Sequence, residues 1–124
     1  MSSNKDVIAV IGLGYVGLPL AVELAKKYEV IGYDINTNRI IELQNGFDHT
    51  LEVEETDLQK VLVKEINQTG LYVSNETLDI ANANIYIVTV PTPTDQFNRP
   101  FLKPLEMAST LVGDYIKKGD IVIV

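Results

Sequence analysis

The sequence predicts a doubly wound α/β domain, a parallel sheet of about five strands with helices on both faces. Three observations predict it. Continuous β-branched runs, Val7–Ile11 and Asn84–Val90 above all, have no polar alternation and read as strands buried on both faces. Between such runs lie segments with helical apolar periodicity. Glycines mark the turn from the first strand into the first helix, as Gly12-Leu13-Gly14-Tyr15-Val16-Gly17, and Asp34 closes the next apolar run.

The elements follow in order. After Val7–Ile11 and the glycine turn, the spacing predicts a helix over Tyr15–Tyr28, with Val16, Leu20, Leu24, Ala21 and Ala25 on its apolar stripe. Pro19 falls near the first turn, where a missing N–H costs least. Val30–Asp34 reads as the second strand, and Asn36 as the cap of a helix that Gly46 stops. A polar, acidic connection, Phe47–Glu55, leads to Thr56-Asp57-Leu58-Gln59, which matches a capping box for a helix to about Asn67. Leu71–Val73 is a brief strand and Glu76–Ala81 a short helical turn. After Asn84–Val90 comes a proline-interrupted loop, Pro91–Pro100, then a helix with Pro104 in its first turn that runs to Lys117 and Lys118. Gly119 breaks it before a last strand.

Composition bounds the chemistry. The chain of 124 residues is 46% hydrophobic with a mean hydropathy of +0.10, enough for a globular core. It has no cysteine, which excludes disulfides, thiolate metal sites and a cysteine nucleophile within it. A formal charge of −7 and a pI near 4.5 repel phosphate backbones, so no nucleic-acid partner is expected. No apolar run reaches the roughly 18 residues that span a bilayer, and no signal pattern precedes the first strand, so the expected compartment is the cytoplasm.

The strand–glycine turn–helix context makes a Rossmann-type dinucleotide fingerprint of what would otherwise be a common turn. Gly12 permits the tight turn, Gly14 lets the backbone approach a pyrophosphate, and Gly17 lets the helix pack closely on the sheet. The amides of Leu13, Tyr15 and Val16, with that of Gly14, are expected to face the phosphates, aided by the helix dipole. No lysine follows the glycines, so the loop is not of the Walker type. Asp34 is placed to accept both hydroxyls of an adenosine ribose, and its charge repels a 2′-phosphate, which favours NAD over NADP. Arg39, in the next helix, admits four readings: partner of a 2′-phosphate, cover for the adenine, partner of Asp34, or a surface salt bridge of little energetic worth. Val90-Pro91-Thr92-Pro93-Thr94 is either a rigid connector or a wall facing the nicotinamide half. His49, the only histidine, sits in a polar loop and reads as a surface residue rather than an acid–base catalyst. The run Glu52, Glu54, Glu55, Asp57 reads as a solvated helix start, so no metal site is expected.

The segments Val7 to Ala21, Gly32 to Asn36 with Arg39, and Val90 to Thr94 together resemble the UDP-glucose/GDP-mannose dehydrogenase family over nearly the whole chain, as its N-terminal NAD-binding domain. Asn45–Leu58 and Asn98–Pro104 look most like the branch acting on UDP-N-acetylhexosamines. The resemblance implies oxidation of a sugar C6 hydroxyl to a carboxylate in two NAD-dependent steps, for surface polysaccharides. It implies a cysteine nucleophile and a UDP-sugar pocket in later domains, and a homo-oligomeric parent. By motif position, Gly12–Gly17, Asp34, Arg39 and Val90–Thr94 would contact NAD. Two other readings share the fingerprint: a generic hydroxyacid-type dehydrogenase domain, and a non-catalytic sensor of NAD or NADH. The chain stops inside the apolar run Ile121–Val124, so residues 1–124 are expected to be one domain of a longer protein, cut at the last strand. Alone, it is expected to lack catalytic residues, turn nothing over and present a bare edge prone to self-association.

Overall fold

The computed structural model describes residues 6–90 and 103–124. Five strands form one sheet: β1 (Val7–Ile11), β2 (Glu29–Tyr33), β3 (Gly70–Ser74), β4 (Ile85–Val88) and β5 (Ile121–Ile123). Their order is β3-β2-β1-β4-β5, and every pairing is parallel. The chain thus steps outward from β1 to β3, then restarts on the other side of β1 with β4. The crevice between β1 and β4 is the switch point, where parallel sheets bind ligands.

Alternation along β1 feeds two cores. Ile8 and Val10 pack with Leu18, Ala21, Leu43 and Leu58 from α1 (Gly17–Ala25), α2 (Thr37–Gln44) and α3 (Glu55–Val61). Ala9 and Ile11 pack on the opposite face with Ile80 of a 3₁₀ turn (Thr77–Asn82), Tyr86, and Ala108 and Val112 of α4 (Lys103–Tyr115). Each fully buried Leu or Ile contributes about 1.5–3 kcal/mol by leaving water. Of the strand tyrosines, Tyr86 is fully buried and Tyr72 half-buried.

Several boundaries differ from the expected ones, for tertiary reasons. Helix α1 begins at Gly17, not Tyr15, because Tyr15 and Val16 lie in the turn with their side chains in solvent. It ends at Ala25, where the amides of Lys26 and Tyr28 close onto Glu23 and Leu24 and the chain enters β2. Asn36 caps α2 as expected, its side-chain oxygen accepting the Arg39 amide at 3.2 Å. Helix α3 is capped at Glu54, with no side-chain hydrogen bond, rather than at Thr56. It stops at Val61 instead of near Asn67, because Leu62 turns extended and bridges Leu71 while the Val63 amide bonds the Leu71 carbonyl at 3.0 Å. The exposed edge of β3 thus outcompetes the helical pattern for these backbone groups. Helix α4 ends at Tyr115; the Lys117 amide instead donates to Asp120, and its Nζ reaches the carbonyls of Ala81 and Ala83. Strand β5 is an outer strand with exposed side chains throughout.

Candidate cofactor site

The site grows out of the end of β1. The Gly12 amide donates to the Tyr33 carbonyl at 2.8 Å, extending the β1–β2 ladder into the turn. Gly12 has φ of +102°, a left-handed value that favours glycine, and an added Cβ would lie 2.9 Å from the Thr89 carbonyl oxygen. At Gly17 a Cβ would come within 1.8 Å of the Gly12 carbonyl oxygen, so the first residue of α1 presses directly on the turn. Thr89, just past β4, donates its hydroxyl to that same carbonyl at 2.8 Å. A Cβ on Gly14, by contrast, would meet nothing within 4 Å. The backbone there faces open space, which is what a close-lying pyrophosphate requires.

The donors are equally specific. Helix α1 starts with no side-chain cap and no acidic residue in its first turn. The amides of Gly14, Tyr15 and Val16 donate to no other described residue. The Leu13 amide was expected to join them but is engaged, donating to Asp34 Oδ2 at 2.9 Å. The Leu13 side chain is fully buried, so this residue faces the core rather than the cleft. Asp34 Oδ1 accepts the Asn36 amide at 2.9 Å. Each carboxylate oxygen keeps a second lone pair for a hydroxyl donor.

A cleft of about 680 Å³ opens at this edge of the sheet, lined by Gly12, Gly14, Asp34, Ile35, Val90 and Met107 among others. It brings together the glycine turn, Asp34 and the start of the Val90 loop, as the topology requires. Pro91, Thr92, Pro93 and Thr94 lie outside the described residues. Sequence reasoning missed Ile35 and Met107, both substantially exposed at the cleft. Position was their only signal: one follows Asp34, and the other lies on the helix leading away from the switch-point loop.

Arg39 departs from each of its four readings, its salt bridges to Asp48 and Glu42 being buried rather than on the surface. It makes no pair with Asp34, is only 7% exposed and does not line the cleft. Its Nε donates to the Leu13 carbonyl at 2.8 Å, and its Nη1 to Asp48 at 2.8 Å and Glu42 at 3.1 Å. Asp48, within the connection expected to be polar and acidic, is buried. Burial alone would raise its pKa, but hydrogen bonds from the Thr50 hydroxyl, Arg39 and the amides of Thr50 and Val53 outweigh this and hold it at about 2. His49 is exposed as expected, with Nδ1 2.7 Å from Glu42. Burial raises the Glu42 pKa, and hydrogen bonds from His49 more than reverse this, leaving it lowered. Among the described residues no cluster of His, Asp or Glu is placed to hold a metal.

A crevice of this build, at the switch point of a parallel sheet, defines the dinucleotide-binding class of α/β domains. Its free amides fit a pyrophosphate, its carboxylate fits an unphosphorylated ribose, and its open glycine leaves the approach clear. Comparison with known proteins narrows the class. Residues 6–124 match the NAD binding domain of the UDP-glucose/GDP-mannose dehydrogenase family, and the chain belongs to that family, with NAD as its cofactor. It is 50% identical over 120 residues to the UDP-N-acetyl-D-glucosamine 6-dehydrogenase of Pseudomonas aeruginosa, covering 96% of this chain and 27% of that protein. The enzyme of the same name from Salmonella typhi is 47% identical, over 94% of this chain and 26% of the relative. The solved UDP-D-ManNAc dehydrogenase of Pyrococcus horikoshii superimposes with a TM-score of 0.84 at 36% identity, covering 94% of this chain and 27% of that one. The chain therefore spans about a quarter of the length of these relatives.

Proposed function

We propose that this chain is the cofactor-holding part of an enzyme that oxidises the C6 hydroxyl of a UDP-N-acetylhexosamine to a carboxylate with NAD. The product, a nucleotide-activated uronic acid, suits incorporation into an acidic surface polysaccharide, and the compartment is the cytoplasm. The parent enzyme is a homo-oligomer. One observation carries the cofactor half of this reading. The Leu13 amide locks Asp34 against the glycine turn at 2.9 Å, so ribose acceptor and phosphate donors form one unit. The substrate half rests on the two relatives named as UDP-N-acetyl-D-glucosamine 6-dehydrogenases.

In this reading the cofactor supplies hydride acceptance, and the chain binds, orients and selects it. The amides of Gly14, Tyr15 and Val16 hold the pyrophosphate. Asp34 accepts the ribose hydroxyls, and its charge disfavours a 2′-phosphate. Gly12 and Gly17 shape the turn, Leu13 ties it to Asp34, and Val90–Thr94 form the wall toward the nicotinamide. Arg39 holds the Leu13 carbonyl of that turn. The test is turnover of the complete reading frame with NAD and UDP-N-acetylglucosamine, UDP-N-acetylmannosamine or UDP-glucose, followed as NADH formation. Two NADH per acetylated sugar, with UDP-glucose much poorer, is the expected result. Turnover of a free hydroxyacid, or of no sugar nucleotide, overturns the substrate assignment.

A further inference from the structure

Arg39 and Asp48 are buried and neither lines the cleft. The turn is nevertheless held from two sides. Thr89 of the β4 side grips the Gly12 carbonyl at 2.8 Å, and Arg39 of α2 grips the Leu13 carbonyl at 2.8 Å. The carbonyl and amide of Leu13 are therefore both fixed, the second by Asp34. The next amides in the chain are those proposed to hold the pyrophosphate.

Arg39 reaches the Leu13 carbonyl in a buried setting, where a lone guanidinium would be costly. Asp48 supplies the shorter and more buried of two opposing charges, taking Nη1 at 2.8 Å against 3.1 Å for Glu42, while Nε points at Leu13. Asp48 is itself fixed by four other hydrogen bonds, from the Thr50 amide and hydroxyl and the amides of Glu52 and Val53. The loop it anchors holds Leu51 at φ of +58°, a conformation this side chain rarely adopts, with that side chain exposed. Packing of Leu51 does not explain the loop's shape; the Asp48 hydrogen bonds do.

We propose that Asp48 is a positioning residue for the cofactor turn, acting through Arg39, whose Nε holds the Leu13 carbonyl and so aims the amides that follow it. This rests on the cofactor reading above and deepens it. It converts the α2–α3 connection, remote from the cleft in sequence, into a strut behind the pyrophosphate. It also engages Nε and Nη1 of the one arginine near Asp34 in sequence.

The test is calorimetric titration of NAD into the 124-residue chain and three variants, each checked for folding by its urea midpoint. Asp48→Asn keeps the shape of the side chain and removes its charge; it is expected to weaken NAD binding about tenfold, the cost of misaiming donors by a fraction of an ångström. In an Arg39→Met background the same substitution is expected to change NAD affinity less than twofold, because the intermediary is gone. Thr50→Val removes one donor to Asp48 without uncovering a charge, and is expected to weaken NAD binding in the same direction by about two- to threefold. This variant decides the matter should Asp48→Asn fail to fold. Unchanged NAD affinity in the folded single variants, or the same loss with and without Arg39, overturns the proposal. Failure of the unsubstituted chain to bind NAD overturns the cofactor reading instead.

Discussion

The turns around Asp34 and Asp48 are built from similar parts. Each aspartate accepts a backbone amide two residues ahead, Asn36 for Asp34 and Thr50 for Asp48. Each also takes a donor from a distant element, the Leu13 amide in one case and Arg39 in the other. The difference lies in what remains after these bonds. Asp34 borders a cleft and keeps lone pairs for an incoming hydroxyl. Asp48 is buried, with its two oxygens taking five hydrogen bonds from the protein. The same side chain thus serves binding where the fold leaves it open, and architecture where the fold closes over it.

That contrast is broken most severely at the buried member. Asp48→Ala removes one of the two carboxylates paired with the buried Arg39 and leaves it only Glu42, and should cost about 3 kcal/mol of stability, read as a fall in the urea midpoint. A loss under 1 kcal/mol would place the pair in effective contact with water. Gly17→Ala comes next. Its Cβ would press on the Gly12 carbonyl at 1.8 Å, backbone that cannot yield locally. Destabilisation of about 3 kcal/mol and loss of NAD binding are expected, whereas Gly14→Ala, with nothing within 4 Å, should fold normally.

Acid offers a third way to sharpen the comparison. Asp48 titrates at about 2 in the folded chain against 3.8 ordinarily. Between these values the unfolded chain takes up the proton first, so acid favours unfolding. The contribution of Asp48, about 2 kcal/mol, is complete above roughly pH 4 and lost as pH falls toward 2. The lowered pKa of Glu42 adds to the slope in the same direction. Unfolding free energies across that range should converge for the unsubstituted chain and Asp48→Asn; parallel curves would deny the shift. The smallest effect belongs to His49→Ala. The exposed ring pairs with Glu42, and removing it should change stability by less than about 0.5 kcal/mol by thermal melt.

What was legible in the sequence follows from range. Strand β1, the glycine turn, Asp34 and the Asn36 cap are written in adjacent residues, and the structure places each where its pattern points. The end of α3 was hidden because the Leu71 backbone, not helix propensity, claims Leu62 and Val63. Arg39 was misplaced because its partners are set by how the α2–α3 connection folds back, which no periodicity records. One local sign was present: Asp48 followed by Thr50 is the spacing of a side chain that bonds the backbone just ahead of it. Ile35 and Met107 show the complementary limit. Nothing in their chemistry marks them; the switch point between β1 and β4 turns them toward the cleft.

The most direct measurement is a calorimetric titration of the chain and its Asp34→Ala variant with NAD and with NADP. One NAD per chain, bound at least about tenfold tighter than NADP, with the preference abolished in the variant, is the result that a ribose-reading carboxylate predicts. Equal affinity for the two cofactors, or NAD binding indifferent to the loss of Asp34, would contradict it.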